Sequence, residues 1–184
     1  AARNALPKAD PDLQFANGFG GFSADGREYL IEASTPQPWC NVIANPGIGT
    51  VVSARGVAFT FGPNAREWQI TPWSNDALRE PSAETCYILD VEAGWIASPA
   101  RFPIEHAAAR YRVRHGVGYT NFECEIEGLA IVWRHVIDAS DPIKFLVLEV
   151  TNRSARMRRL RLIHFFELAL GSQRAAPGEL VIEG

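Results

Sequence analysis

The chain has 184 residues, 47% hydrophobic and 21% charged, which is the composition of a folded globular protein long enough to bury a core of its own. Lys and Arg number 18 against 21 Asp and Glu, a net charge of -3, so no basic field exists to gather nucleic-acid backbones or anionic lipid. The longest apolar runs, such as Phe145–Leu148, fall far short of the ~20 residues that cross a bilayer, and no charged start leads into an apolar signal segment. Neither nucleic acid nor a membrane is therefore expected as a partner of this segment.

Residues 1–12 form a polar, Pro-containing lead-in, and 13–184 read as one domain. From there on, apolar residues recur mostly with period two in short runs bounded by Gly, Pro, Asn and Asp, the signature of antiparallel strands. The glycine-rich Asn17-Gly-Phe-Gly-Gly-Phe22 reads as an edge turn packed by two Phe rings, and Asp25-Gly26 marks a hairpin between Phe22 and Tyr29. Strands are expected over Glu28–Ala33, Val57–Phe61, Glu67–Thr71, Thr85–Val91, Arg110–Arg114, Thr120–Glu127, Leu129–Ile137, Ile143–Asn152 and Met157–Leu170. Between them, Pro103–Ala109 is the one stretch with the makings of a short helix. Arg110-Tyr-Arg-Val-Arg114 puts three arginines on one face, opposed to Tyr111 and Val113. Ile143–Asn152 is apolar on both faces and so is expected deep between layers, with Asn152–Ala155 closing a last long hairpin. The class is all-β, and two packed antiparallel sheets are the economical way to bury so many half-apolar strands. The run Glu179–Glu183 reads as a strand cut short before Gly184, so the chain is expected to be a piece of a longer polypeptide.

Two loop clusters carry the composition of a sugar site, in which an aromatic face covers pyranose C–H groups and planar polar groups bond hydroxyls. One holds Trp39 with Asn41; the other holds Arg66 and Trp73 with Asn75 and Asp76. The same indoles can equally plug the ends of a sandwich, with the polar residues bonding loop backbone. At the end of the arginine strand, Arg114, His115 and Tyr119 surround a Gly-x-Gly turn, where Arg and His could hold an anion or a hydroxyl. The arginines could also pair with Glu123 and Glu125 on the next strand. No nucleophile elbow, metal-ligand spacing or paired catalytic carboxylates can be read, so no catalytic or metal residue is assigned. Cys40, Cys86 and Cys124 are an odd, widely spaced set, read as thiols in a reducing, cytoplasmic setting.

The motifs Asn17–Ser23, Asp25–Tyr29, Thr35–Trp39, Ile43–Pro46, Thr71–Asp76 and Arg114–Tyr119 follow one another in an order that resembles the amino-terminal domain of glycoside hydrolase family 94, formerly glycosyltransferase family 36. The fuller glycine-rich start and Phe166–Gly171 look most like the cyclic β-1,2-glucan synthase branch. The resemblance implies an antiparallel two-sheet supersandwich, followed in the parent enzyme by a helical linker and an (α/α)6 barrel that carries the general acid and the phosphate site. It implies inverting phosphorolysis of β-glucans with inorganic phosphate as co-substrate and no cofactor, and it leaves room for a parent anchored in the inner membrane. This segment would then supply scaffold, homodimer surface and contacts to a β-linked gluco-oligosaccharide. Gln173-Arg174 is the nearest match to an acceptor-contacting pair of the family, at a shorter spacing after Glu167 than the family pattern. A stand-alone carbohydrate-binding module, or a purely structural interface domain, would read alike.

Overall fold

The structure, a computed structural model, describes residues 12–74 and 83–172. Among them are no helices and these strands: β1 (Gly20–Phe22), β2 (Glu28–Ile31), β3 (Cys40–Ala44), β4 (Gly49–Ser53), β5 (Ala58–Phe61), β6 (Glu84–Asp90), β7 (Trp95–Ala97), β8 (Arg110–Gly116), β9 (Tyr119–Ile126), β10 (Leu129–Ile137), β11 (Lys144–Asn152) and β12 (Leu160–Phe166). All pairings are antiparallel. They build a six-stranded sheet in the order β1-β2-β8-β9-β10-β11 and two three-stranded sheets, β12-β6-β7 and β3-β4-β5.

Period-two alternation explains the layers. Tyr111 and Val113 of β8, Phe122, Cys124 and Ile126 of β9, and Leu129, Ile131, Trp133 and Ile137 of β10 all turn to one face and are buried. One part of that face packs on Ile43, Val52 and Ala58 of the β3-β4-β5 sheet, and the other on Ile88, Trp95 and Ala97 of the β12-β6-β7 sheet. The expected two layers are therefore present, with the second divided into two small sheets. Lys144, from β11, crosses the seam between them. Its Nζ donates to Thr50 Oγ1 of β4 at 3.0 Å, to Thr60 Oγ1 of β5 at 2.9 Å and to the Glu84 carboxylate of β6. Burial lowers its pKa, and the carboxylate opposes the shift.

Several sequence expectations are corrected. Ile143–Asn152 is not a deep central strand: β11 is the edge of the six-stranded sheet, and its outward Phe145 and Val147 are 46% and 40% exposed. Nor does Asn152–Ala155 close a hairpin, since β12 leaves the sheet of β11 and pairs with β6. Glu67–Thr71 makes only a bridge at Gln69, to Phe61 and Gly171, because Asn64 Oδ1 takes the Arg66 and Glu67 amides into a turn. Pro103–Ala109 forms turns. The unforeseen strands β1, β3, β4 and β7 are short or rich in small and polar residues, so their alternation is faint.

Candidate functional site

Four of the six motifs that resemble family 94, Asn17–Ser23, Asp25–Tyr29, Thr35–Trp39 and Arg114–Tyr119, converge on one corner. Asn17 Oδ1 accepts the Phe19 and Gly20 amides and its Nδ2 donates to the Tyr29 hydroxyl at 3.0 Å, fixing the entry into β1. Asp25 and Gly26, with φ +69°, close the β1–β2 hairpin. The Tyr29 ring then stands edge-on to Phe22 and to Trp39, and Phe19 lies edge-on to the other side of Trp39, with centroids 4.9 to 5.8 Å apart. Trp39 is half-buried by this packing. Its neighbour Asn41 donates to the carbonyls of Gly116 and Tyr119, both at 2.9 Å, and so fastens β3 to the β8–β9 hairpin.

At that hairpin the ring of Tyr119 lies where a Cβ on residue 116 would stand, within 2.4 Å, so glycine is required there. The Tyr119 hydroxyl donates to Glu28 at 2.5 Å. Arg114 donates to Glu28 at 2.8 Å and to Glu123 at 2.6 Å, Arg112 to Glu32 at 2.6 Å, and Arg110 to Glu125 at 2.6 Å. The arginine face therefore pairs with Glu123 and Glu125, as one sequence reading had it, and reaches further to Glu28 and Glu32. His115 turns to the opposite face, its Nδ1 3.0 Å from Thr120 Oγ1. Burial pushes its pKa down to about 4, only partly offset by the Trp39 backbone.

The second cluster differs. The chain after β5 turns at Asn64, returns through Gln69 and is anchored by Thr71, whose Oγ1 accepts the Thr60 amide at 2.8 Å and donates to the buried Glu84. Gln69 Oε1 accepts the Trp73 amide. On this pinned loop the Trp73 indole stacks on Phe59 at 5.9 Å and 24° and remains 56% exposed. Trp68, which packs over Gly62, is 65% exposed. Sequence reasoning missed Trp68 because it placed that residue inside a strand; Pro63-Asn64, a turn pair, was the available signal. The structure thus brings Trp39, Arg114, His115 and Tyr119 together and sets Trp73 apart. Asn75, Asp76, Gln173 and Arg174 lie outside the described residues.

His135 is buried against Trp133 and Phe122, which holds its pKa well below the ordinary imidazole value. No group of His, Cys, Asp or Glu able to hold a metal is found among the described residues, and no helix there is long and apolar enough to cross a membrane. Cys86 and Cys124 are buried, with their thiols pushed up to about 11 and about 12 by desolvation, and Cys40 is exposed.

Residues 27–179 match the family described as Glycosyl hydrolase 94, supersandwich domain. The cyclic beta-(1,2)-glucan synthase NdvB of Rhizobium meliloti (strain 1021) is 38% identical over 98% of this chain and 6% of its own length. Solabiose phosphorylase of Paenibacillus borealis is 30% identical over 83% of this chain and 20% of its own. The N,N'-diacetylchitobiose phosphorylase of Vibrio furnissii is 24% identical over 82% and 19%. The chain spans a fifth or less of the length of these relatives.

Proposed function

The chain belongs to the glycosyl hydrolase 94 family as its supersandwich domain, and we propose that it is the non-catalytic amino-terminal β-domain of a β-glucan phosphorylase or cyclic β-1,2-glucan synthase. The observation that carries this is the coverage: relatives named as a glucan synthase and as phosphorylases align with most of this chain, yet with a fifth or less of themselves. In such an enzyme the domain supports an (α/α)6 barrel in which inorganic phosphate attacks the sugar, and it lends surface to a homodimer. Its own groups are committed to the scaffold, since Arg110, Arg112 and Arg114 pair with Glu28, Glu32, Glu123 and Glu125.

The open indoles of Trp68 and Trp73 are the part of the domain suited to touch a gluco-oligosaccharide, as an apolar shelf completed by the barrel. They also favour the second reading, a stand-alone carbohydrate-binding module. Titrating the isolated chain with β-1,2- and β-1,4-gluco-oligosaccharides, followed by tryptophan fluorescence, separates the two. The scaffold reading expects no saturation up to millimolar sugar, because half a subsite cannot offset the cost of association. Saturable binding by the chain alone overturns it in favour of the module. The same reading expects no phosphate-dependent release of glucose 1-phosphate by the chain alone.

A further inference from the structure

Two imidazoles lie in one row across the inward face of the six-stranded sheet. Ladder pairing sets Tyr29 of β2 opposite His115 of β8, His115 opposite Thr120 of β9, Thr120 opposite His135 of β10, and His135 opposite Leu146 of β11. Directly opposed residues share a face, so these side chains stand side by side. β3 covers the middle of the row. Asn41 Nδ2 donates to Thr120 Oγ1 at 3.2 Å, and His115 Nδ1 stands 3.0 Å from the same hydroxyl.

Neither imidazole is placed to take a second proton. His135 is buried against Trp133 and Phe122, and neither of its ring nitrogens has a hydrogen-bond partner. Lys144 of β11 and His164 of β12 face it, and both oppose a positive charge there. Glu84 of β6 already bonds Lys144, Thr60 and Thr71, and Cys86 of β6 is a buried thiol in the same core. β4 and β5 bring only the Thr50 and Thr60 hydroxyls, which Lys144 engages. At His115 the Nε2 is buried without a partner, and the groups around the ring are Thr120, Asn41, the Trp39 backbone and the Tyr29 phenol, which Asn17 engages. With His115 neutral, the Thr120 hydroxyl can accept from Asn41 and donate to Nδ1. In the imidazolium both ring nitrogens are donors, so that hydroxyl hydrogen loses its acceptor.

The two halves of the core differ in this. Ile43, Val52 and Ala58 of the β3-β4-β5 sheet pack with Val113, Phe122 and Trp133, in the half that holds the row. Ile88, Trp95 and Ala97 of the β12-β6-β7 sheet pack with Tyr111, Cys124 and Leu129, and the imidazole beside them, that of His106, is partly exposed with its Nδ1 accepting the Ala108 amide. Their fastenings differ as well. Buried Arg158 ties Asp90 of β6 to the Glu127 carbonyl of the β9–β10 turn. Burial raises the pKa of Asp90, but the Ala93 amide and the Arg158 guanidinium hold it below the ordinary value, so this tie outlasts mild acid.

We infer that the row is an acid latch, in which proton uptake by His115 and His135 frees the β3-β4-β5 sheet from the six-stranded sheet while the β12-β6-β7 sheet stays in place. The cations would form on either side of Thr120, directly under the strand that Asn41 fastens there, where no carboxylate is left to pair with them.

The inference is independent of any sugar contact. It is tested by brief pulses of amide exchange on the chain at stepped pH, read separately for Gly49–Ser53 with Ala58–Phe61 and for Glu84–Asp90. The first set should lose its protection in a transition between pH ~6.5 and about 4, the window in which a free imidazole is charged and the folded His115 is not. At its midpoint the Glu84–Asp90 amides should remain at least about tenfold better protected. Simultaneous loss in both sets overturns the proposal, and so does protection of β4 and β5 that persists below pH ~4. The order in the unmodified chain decides by itself. As a second readout, His115→Asn combined with His135→Leu should move the β4 and β5 transition down by about one pH unit or more, and an unmoved transition contradicts the latch.

Discussion

Trp39 and Trp73 stand in loops of the same composition, yet the fold uses them in opposite ways. Trp39 is clamped between Phe19 and Tyr29, beside an Asn41 that bonds the β8–β9 hairpin. Trp73 spends one face on Phe59 and leaves more than half of its surface open, and Trp68, on the same connection after β5, is 65% exposed. The difference lies in what the neighbouring strands deliver. At the Trp39 corner two hairpins converge, and Asn17, Glu28, Asn41, Arg114 and Tyr119 all find protein partners, while the buried Nε2 of His115 has none. At the Trp73 loop a single connection returns along an edge, and its backbone is pinned from below by Thr71 and Gln69 while the indoles remain on top.

If that contrast is right, acid should damage the closed corner most. The fold holds His115 neutral down to pH about 4, whereas an unfolded imidazole takes a proton from ~6.5 downward. The His115 contribution to stability is then complete above pH ~6.5, is lost progressively as pH falls towards about 4, and is gone below that. The His115 share of the loss is about 3 kcal/mol. His135 shifts in the same direction and adds to it. Urea midpoints across this range check the point, and His115→Asn should flatten part of the slope.

Next in size, Trp39→Ala removes a ring from the core margin and is expected to cost about 2–3 kcal/mol, somewhat below the range for fully buried aromatics. Trp68→Ala and Trp73→Ala should each cost less than ~1 kcal/mol by the same denaturation assay, since most of each ring is already in water. Loss of more than about 2 kcal/mol at Trp73 would mean that it too is a plug. The smallest effect concerns the thiols. Cys40 should react with a maleimide within minutes and the buried Cys86 and Cys124 only on unfolding, while reductant leaves the melting temperature unchanged. A drop of several degrees with reductant would reveal a disulfide.

Much of this fold was legible because period-two alternation is a direct record of which face is buried. β8, β9 and β10 alternate cleanly and were read nearly to the residue, as was the Asp25-Gly26 turn. Phe145–Leu148 misled for a physical reason: a run apolar on both faces records composition and not position in the sheet, and β11 is an edge strand whose outward Phe145 and Val147 are 46% and 40% exposed. The Lys144–Glu84 bolt was invisible because its partners are 60 residues apart and meet only when three sheets pack. Loop composition, finally, cannot say which way an indole faces. That depends on the strands that arrive beside it: Asn17, Tyr29, Arg114 and Tyr119 bond within the Trp39 corner, whereas Asn45 bonds Asp138 and Asp141, and Thr71 bonds Thr60 and Glu84.

The central claim is that the open loop, and not the Trp39 corner, is where this domain meets sugar in its enzyme. The most direct measurement is the acceptor KM of the longer enzyme carrying Trp73→Ala, with its melting temperature recorded alongside. The account predicts a KM raised by about tenfold, with kcat within about twofold and the melting temperature lowered by no more than about 4 °C, as expected when a binding contact of ~1.4 kcal/mol is removed. A KM equal to that of the unmodified enzyme would contradict it.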